Sequence, residues 1–364
     1  IVADEVELMY GVIMAGGQGS RLRPLTLTRP KPMVEVLGRP VIDFVKDAML
    51  ESGIDNVIVT TGYRGEQLQK HVSDWPKKAL ATHGKVISAR INQEHSPMGT
   101  AGSVRLLSDL LTETFVVGSG DSVASFDISG LLHAHKQSGA KVTMALWEVE
   151  DPSDFGIVGL SESHNGELNG DLREGYIRKF KEKPSPQEAF SNVINAGLYI
   201  IEPEVLHLVP FGEKFDFSKQ LFPLVLEMDW PMYAKTIDGV WFDVGNPMEL
   251  LNAQSTLVRR MNELPFPIPE GTLLPGDGFC MGDSINLGDV SSSVISSDCL
   301  IQDKVVISNS LLMSGCSIGA KSSITKSVLG QNVVIGNGCT LHNVVIGDGV
   351  KIGAESNLAD QKIS

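Results

Sequence analysis

The chain has 364 residues and a formal net charge of −14 at pH 7, with 42% hydrophobic and 20% charged residues. This length predicts two domains, and the hydrophobic content lets each bury a core. The acidic balance argues against nucleic acids and anionic membranes as partners, and no apolar run reaches the ~18 residues of a membrane span. The cysteines have no C-x-x-C spacing, which predicts reduced packing residues in a cytoplasmic protein: Cys280, Cys299, Cys316 and Cys339.

The first predicted element is a short buried strand over the apolar run 10–14. It leads into a glycine-rich loop whose backbone N–H groups suit a phosphate chain. Four cations follow with no acid between them: Arg21, Arg23, Arg29 and Lys31. A tight strand-to-helix connection is the alternative explanation of the glycines, but the cations favour a polyanion site. Leu22 stands where a dinucleotide fingerprint requires glycine, and the P-loop motif does not occur.

Strands and helices alternate through about the first 250 residues. Further strands are predicted at 57–60, 115–118 and 141–146, and helices at 41–52, 67–78, 100–111 and 128–138. This alternation predicts an α/β fold with a Rossmann-like, doubly wound, mixed but largely parallel sheet. Ligands of such sheets bind beyond the carboxyl ends of the strands, where the glycine-rich loop is expected.

The pattern changes after residue 264. A helix is predicted from Pro247, with Asn246 as its cap, and a proline-rich run at 265–269 then marks a domain boundary. Beyond it, apolar residues recur in steps of 6, 6 and 5: Ile295, Ile301, Ile307, Leu312, Ile318, Ile324, Leu329, Ile335, Leu341, Ile346 and Ile352. A 17-residue period of hexapeptide-like repeats predicts a parallel β-helix with one tighter corner per coil, since sandwich strands do not keep such a register. Cys299 and Cys316 share one register and are expected to stack on adjacent coils.

The string G-G-Q-G-S-R-L-R-P-L-T from Gly16, followed by P-K-P at 30–32, resembles the signature of the sugar-1-phosphate nucleotidyltransferases. The resemblance implies that the glycine loop holds a nucleoside triphosphate and that Arg21 and Lys31 bind its phosphates as catalytic residues. It also implies that the C-terminal β-helix is left-handed. The expected nucleotide-binding residues are Ala15, Gly16, Gly17, Gly19, Ser20, Arg21, Glu94, Gly99 and Thr100.

Two aspartates resemble the family's magnesium ligands. Asp121 follows the predicted strand at 115–118, and Asp243 lies in the string W-F-D-V-G. Nucleotidyl transfer brings two anions together, so positioning and charge neutralisation by Mg²⁺ and cations should dominate catalysis. Asp121 therefore joins the expected catalytic set. Without the resemblance, either aspartate would be interpreted as a turn residue or a helix cap.

The resemblance also implies a sugar-phosphate pocket. Its expected residues are Gly156, Glu182, Lys183, Asn195 and Gly197. In the family the glutamate of E-K-P holds sugar hydroxyls and the lysine pairs with the sugar phosphate. From the residues alone, the charged run at 179–183 would be interpreted as a solvated strand edge.

The base and the sugar are predicted from residues 93–102. Glu94 stands near the position that reads the base, and a carboxylate can accept the paired donors of guanine's Watson–Crick edge. These strings look closest to mannose-1-phosphate guanylyltransferases, which predicts GTP and mannose-1-phosphate as substrates. A glucose-1-phosphate enzyme using UTP, dTTP or ATP is the alternative. An alternative of another class is a non-catalytic regulatory subunit, although the four motif residues argued to be catalytic or metal-binding are intact.

The predicted domain organisation is an N-terminal extension at 1–8, a nucleotidyltransferase domain at 9–263, a proline-rich linker at 264–270 and a β-helix domain at 271–364. The β-helix is expected to mediate homo-oligomer contacts, because end coils leave unpaired strand edges. Acyl transfer by the β-helix is disfavoured, since His342 is the only histidine after residue 207.

Overall fold

The computed structural model describes residues 9–62, 65–264 and 266–364. The chain forms two compact units, each built from two stretches: residues up to Gly16 with Phe44–Trp241, and Gly17–Asp43 with Phe242–Ser364. The expected extension at 1–8 and Pro265 of the expected linker lie outside the described residues, and the predicted domain boundaries remain predictions. None of the helices described has the length and apolar character needed to cross a bilayer.

The first unit contains a nine-stranded mixed sheet. In chain order, β1 to β9 are Tyr10–Met14, Asn56–Thr61, Ser88–Gln93, Phe115–Ser119, Val142–Glu148, Gly156–Ser161, Glu174–Glu182, Val193–Ile201 and Met232–Thr236. Their order across the sheet is β3-β2-β1-β4-β8-β5-β9-β7-β6. The strands β3, β2, β1 and β4 are mutually parallel, as are β5 and β9, whereas the other neighbouring pairs are antiparallel. The mixed, doubly wound sheet is confirmed, with the parallel part concentrated at one side.

The α-helices α1 to α6 are Ile42–Glu51, Gly65–His83, Gly99–Arg105, Ile128–Ser138, Phe222–Glu227 and Pro247–Arg259. The predicted cap of α6 is confirmed, because the Asn246 side chain accepts hydrogen bonds from the N–H groups of Met248 and Glu249. The helix α3 ends earlier than the predicted residue 111. Its continuation consists of turns, in which the N–H of Leu107 bonds the carbonyl of Val104.

Shorter elements complete the chain before the β-helix. Four short strands lie at Glu35–Val36, Arg39–Pro40, Ser122–Ala124 and Trp241–Asp243. Single-turn 3₁₀ segments lie at Ser20–Leu22, Leu25–Leu27, Lys31–Met33 and Met261–Glu263, a longer one at Pro203–Leu208, and a π-helical turn at Phe217–Leu221.

The second unit contains the predicted left-handed parallel β-helix, whose strands form three faces. Face one holds Gly271–Leu274, Gly278–Met281, Val294–Ile295, Leu311–Leu312, Val328–Leu329, Val345–Ile346 and Lys362–Ile363. Face two holds Ile285–Asn286, Leu300–Ile301, Ser317–Ile318, Val334–Ile335 and Lys351–Ile352. Face three holds Asp289–Ser291, Val306–Ser308, Ser323–Thr325, Thr340–His342 and Asn357–Ala359.

The predicted 17-residue register is confirmed. Leu312, Ile318 and Ile324, one from each face, are fully buried, and each pairs with the residue 17 positions along. The structure extends the pattern beyond Ile352 to Leu358 and Ile363. Leu300 pairs with Ser317, so the preceding residues, the buried Cys299 and Cys316, stack one coil apart as expected. A stacked apolar ladder on each face therefore forms the core of this region.

Candidate functional site

In the first unit, the carboxyl ends of β1, β2 and β4 lie side by side. Met14, the last residue of β1, pairs with Thr60 of β2 and with Ser119 of β4. The N–H of Ala15 donates to the carbonyl of Thr60 at 2.8 Å, and the N–H of Gly120 donates to Met14 at 2.9 Å. These bonds place Asp121 beside the start of the glycine loop, at the switch point of the sheet where ligands of this fold bind.

Ser119 orients the carboxylate of Asp121. Its hydroxyl donates to Asp121 Oδ1 at 2.5 Å. The sequence prediction missed Ser119. Its position two residues before Asp121, at the end of the strand, was the signal that could have identified it.

Glu94 lies directly after β3, on the same edge of the sheet. Its N–H donates to the carbonyl of Thr61 at 2.8 Å. Its carboxylate accepts the N–H of Met98 at 3.2 Å and the hydroxyl of Ser103, and one oxygen lies 3.9 Å from where a Cβ on Gly16 would be. Each carboxylate oxygen keeps a lone pair for a ligand. The carboxylate is thus held beside Gly16, the first glycine of the loop.

Gly99 and Thr100 open α3 and are engaged by the protein itself. Gly99 has φ +73°, and a Cβ there would lie 2.6 Å from the carbonyl oxygen of Phe215. The N–H of Thr100 donates to Asp216 at 3.2 Å, and its hydroxyl accepts the N–H of Phe217 at 2.9 Å. These contacts dock α3 on the segment 215–217, and the predicted nucleotide contact of both residues stays a prediction.

Gly156 and Glu182 face each other on the paired strands β6 and β7. A Cβ on Gly156 would lie 2.7 Å from Cζ of Phe180 and 2.8 Å from Oε2 of Glu182. Only glycine therefore leaves room for the carboxylate in this position. The pKa of Glu182 is raised above its ordinary value, because the effect of burial exceeds the opposing effect of the cations Lys183 and Lys219. Lys219 was missed by the sequence prediction.

Lys183 directly follows β7 and has a left-handed backbone conformation, with φ +47°. Its N–H donates to the carbonyl of Phe155 at 2.8 Å. A β-branched residue is rare at such a φ, so the unbranched lysine suits this turn better than valine or isoleucine would.

Asn195 and Gly197 lie at an irregularity in β8, where the pairing with β5 is interrupted between Asn195 and Tyr199. Asn195 donates to the Tyr199 hydroxyl at 2.8 Å and accepts the N–H of Gly197 at 2.9 Å. Gly197 has φ +83°, and a Cβ there would lie 3.1 Å from the Cβ of Ser119. Burial raises the pKa of Tyr199, which keeps its hydroxyl neutral. The predicted sugar residue Gly197 therefore adjoins the residue that orients Asp121.

Trp241 was also missed by the sequence prediction. Its indole N–H donates to the carbonyl of Ala196 at 2.9 Å, and its ring packs edge-on against Phe155 at 5.5 Å between centroids. Trp241 thereby links both segments that were predicted to line the sugar pocket. The signal was its place two residues before Asp243.

In the second unit, Lys31 packs on the turn at Gly19. Gly19 has φ +61°, and a Cβ there would lie 2.9 Å from Cβ of Lys31 and 3.0 Å from Cγ2 of Thr26. The hydroxyl of Thr26 donates to the carbonyl of Gly19 at 2.7 Å. Gly17 and Ser20 are exposed. The turn is fixed from inside, while its outer side is open to a ligand.

Lys31 and Arg21 both approach Asp243. Lys31 Nζ lies 3.1 Å from Asp243 Oδ1, and Arg21 Nη2 lies 4.0 Å from Oδ2. The Lys31 side chain is 10% exposed, whereas that of Arg21 is 60% exposed. The structure thus brings three predicted site residues together, with one cation held inside the site and the other free to reach outward.

Glu249 is a second carboxylate in this cluster that the sequence prediction missed. It accepts the N–H of Gly245 at 2.9 Å. A Cβ on Gly245 would lie within about 3 Å of Glu249, Asp243 and Arg21 alike, at 2.7, 2.9 and 3.0 Å. Burial raises the pKa of Glu249, with a further rise from Asp243. Its location one turn into α6 (i+6 from Asp243) was the available signal.

The donors at Asp121 and Asp243 fit Mg²⁺ in type. Magnesium is usually held by one or two carboxylates, with waters and substrate phosphates completing its shell. Across the residues that the structure describes, no group of three or more His, Cys, Asp or Glu side chains is arranged to hold a metal by itself. Asp121 and Asp243 are each single carboxylates of the kind that magnesium uses, and their role as magnesium ligands stays a prediction.

The chain belongs to the nucleotidyl transferase family, which it matches over residues 10–260. Residues 275–361 match the GlmU-like, C-terminal hexapeptide family. The predicted family and fold class are both confirmed.

Relatives of this chain are named either as mannose-1-phosphate guanylyltransferases or as a glucose-1-phosphate uridylyltransferase. The mannose-1-phosphate guanylyltransferase catalytic subunit beta of Danio rerio is 32% identical over 297 residues, covering 80% of this chain and 74% of the relative. The mannose-1-phosphate guanyltransferase beta-A of Xenopus laevis is 32% identical, covering 70% of this chain and 66% of the relative. The UTP–glucose-1-phosphate uridylyltransferase of Synechocystis sp. is 29% identical, covering 71% and 66%. The chain thus spans about two thirds to three quarters of the length of these relatives.

Proposed function

We propose that this protein transfers a nucleotidyl group from a nucleoside triphosphate to a sugar-1-phosphate, and that its substrates are GTP and mannose-1-phosphate. The observation that carries the proposal is the switch point of the first unit, where Asp121, Ala15 and Glu94 follow neighbouring strand ends. Family membership and the two guanylyltransferase relatives support it.

The reaction is an exchange at one phosphorus atom. An oxygen of the sugar phosphate attacks the α-phosphorus of the triphosphate, and a new P–O bond forms. The bond between the α-phosphorus and the bridging oxygen breaks, and pyrophosphate leaves with the electron pair. The sugar phosphate reacts as a dianion, so its attacking oxygen needs no general base, and its direct attack requires no covalent enzyme intermediate.

The cations Arg21 and Lys31 are proposed to bind the triphosphate and offset the charge that develops on the leaving pyrophosphate. Arg21 is exposed enough to reach a ligand, and Lys31 is fixed against Gly19. Asp121 and Asp243 are proposed to hold Mg²⁺, by resemblance to the family. Bound there, the ion would neutralise phosphate charge and polarise the α-phosphate. The Lys31 ammonium, 3.1 Å from Asp243 Oδ1, orients that carboxylate.

The acceptor is proposed to bind on the side of Glu182 and Asn195. Glu182 would accept hydroxyl groups of the sugar, Lys183 would pair with its phosphate, and Asn195 would offer an amide. The glycines at 156 and 197 allow Glu182 and Ser119 to approach the backbone closely. Because two anions must approach each other, Lys183 lowers the electrostatic cost of that approach.

Glu94 is proposed to read guanine. Its carboxylate is held beside the glycine loop, and a fixed pair of acceptors matches the N1–H and N2–H₂ donors of that base. The uridylyltransferase relative supports a second candidate, UTP with glucose-1-phosphate. Uracil presents one donor between two acceptors, which would place lone pairs against this carboxylate.

The test is pyrophosphate release across a grid of nucleoside triphosphates and sugar-1-phosphates, with Mg²⁺ and with excess chelator. A maximum at GTP and mannose-1-phosphate that vanishes with chelator supports the full proposal. A maximum elsewhere keeps the class and refutes the substrates, and Glu94→Gln should then leave base preference unchanged. No turnover from folded protein would favour the regulatory-subunit alternative.

We further propose that the protein is a homo-oligomer through the β-helix and acts in the cytoplasm. Apolar side chains are exposed on its outer faces: Ile285, Leu287, Leu300 and Val306. A second copy covering them would remove this area from water. The proposed cytoplasmic location is supported by the four cysteines, which carry free thiols as expected in a reducing compartment. Light scattering on Leu287→Asp, compared with wild type, tests the contact: an unchanged oligomer mass would exclude this surface.

A further inference from the structure

The segment that carries Arg21 and Lys31 belongs to the same compact unit as the β-helix. It packs against the corner that follows the face-one strands, which we call the face-one corner. This corner presents one side chain per coil to the segment: Met313, Gln331 and Asp348. The segment itself consists of single 3₁₀ turns, which are too short to be rigid without tertiary contacts.

Asp348 is the centre of these contacts. Its Oδ2 accepts a charge-assisted hydrogen bond from the Arg29 guanidinium and a hydrogen bond from the Thr28 hydroxyl at 2.5 Å. Its Oδ1 accepts the N–H of Gln331 at 2.8 Å, one coil below. The Arg29 and Asp348 side chains are only 9% and 17% exposed. A Cβ on Gly330 would lie 2.4 Å from this carboxylate, so glycine at that position makes the room.

Three further contacts hold the segment, at Glu35, at Arg29 itself and at Arg21. The Gln331 amide donates to Glu35 Oε1 at 3.1 Å, and Arg29 Nη1 contacts Met313 Sδ at 3.7 Å. The Lys362 ammonium, on the last face-one strand, donates to the carbonyl oxygen of Arg21 at 3.2 Å. The β-helix therefore contacts the backbone of a predicted catalytic residue directly.

Arg29 lies two residues before Lys31, and Lys31 packs on Gly19. A shift of the Arg29 end would thus move the lysine and the glycine turn together. We propose that Asp348 is a positioning residue: through Arg29 it fixes the segment in the geometry that binds the nucleoside triphosphate. For the identity of that ligand, this rests on the function proposed above.

The test compares Asp348→Asn with wild type in the full-length protein. The expected result is a rise of about tenfold in KM for GTP with KM for mannose-1-phosphate unchanged, because a displacement of a fraction of an ångström at the phosphates costs about that much. Asp360→Asn is the matched control. Asp360 also joins two coils, through Asn343 at 2.6 Å, but at an exposed corner. It should leave both KM values unchanged.

A purely structural role predicts a different result. Loss of folded protein lowers kcat and leaves both KM values alone, and this outcome with Asp348→Asn would overturn the proposal. If Asp348→Asn does not fold, Thr28→Val removes one hydrogen bond to the same carboxylate while keeping the side-chain shape. It should raise KM for GTP by about threefold, the loss of part of one net hydrogen bond, and no rise would again overturn the proposal.

Amide hydrogen exchange gives a readout that does not require turnover. Asp348→Asn should accelerate exchange at the N–H groups of Leu22, Leu27 and Val34, whose bonds hold the single turns, whereas Asp360→Asn should not. If wild-type protein neither binds GTP nor turns over, the proposed function fails. The exchange result then still decides whether Asp348 fixes the segment, and unchanged exchange would refute it.

Discussion

Replacing Gly156 with alanine tests the assignment of Glu182 to the sugar pocket. The new Cβ would lie 2.8 Å from Glu182 Oε2 and 2.7 Å from Phe180 Cζ, whereas ordinary contacts begin at 3.4 Å. The carboxylate must therefore move away by about 0.6 Å to restore an ordinary contact of 3.4 Å from the 2.8 Å that the new Cβ would impose. Functional groups must be held within about 0.5 Å of their working geometry, and a displacement of 1 Å can cost ~10²-fold in rate. We expect Gly156→Ala to lower kcat/KM for the sugar-1-phosphate by about tenfold.

Gly159→Ala is the matched control for this variant. Gly159 lies on the same strand and is similarly crowded, with a Cβ there 2.9 Å from Leu168 and 3.1 Å from Phe190. Both variants should lose up to about 1–3 kcal/mol of stability through overpacking. Only Gly156→Ala should change the kinetics of the sugar-1-phosphate, measured by pyrophosphate release at saturating nucleoside triphosphate. Equal kinetic losses in the two variants would refute the role of Glu182, because crowding alone would then explain the effect.

Three further variants test other contacts. Gly19→Ala forces an alanine into a left-handed conformation, at about 1–2 kcal/mol, and against Lys31, so KM for the nucleoside triphosphate should rise; an unchanged KM would argue against the turn as a phosphate site. Trp241→Phe removes the hydrogen bond to Ala196, and urea unfolding should show a loss of about 1 kcal/mol with a higher KM for the sugar-1-phosphate. His135 is buried, and burial lowers its pKa below 6.5, so the unfolded chain binds a proton first as pH falls. Its contribution to the free energy of unfolding is complete above about pH 6.5 and is lost as the pH falls below that value, by at most ~1.4 kcal/mol per pH unit. Melting scans from pH 8 to 5 should show that the melting temperature changes less with pH in His135→Gln than in wild type. Equal changes in the two proteins would exclude this histidine as the cause.

Periodicity predicted the parts of the fold that repeat or alternate. The 17-residue period of apolar residues located the β-helix ladders residue by residue, because each inward-facing position must be apolar to be buried. The cap at Asn246 was equally predictable, since its bonds reach only three residues along the chain. The end of α3 was not, because its first turn is docked on the distant residue Phe215.

The candidate site was predictable only where a motif carries it. Arg21, Lys31 and Asp243 were identified from strings, and the structure brings them together. Glu249 and Trp241 were missed because only their closeness in sequence to Asp243 indicated them, and this closeness does not show which residues their side chains contact in the fold. The contact of Glu35 with Gln331 joins residues 296 positions apart, and no local pattern encodes such a separation.

The sharing of one compact unit by residues 17–43 and the β-helix limits how the gene can be recombined. If residues 271–364 come from a relative without a carboxylate at position 348, the chimaera keeps Arg29, and its guanidinium is buried without its counter-charge. Truncation at the proline-rich run has the same effect. The signature segment and the hexapeptide repeats should therefore be exchanged between relatives as a matched pair, although more than 200 codons separate them.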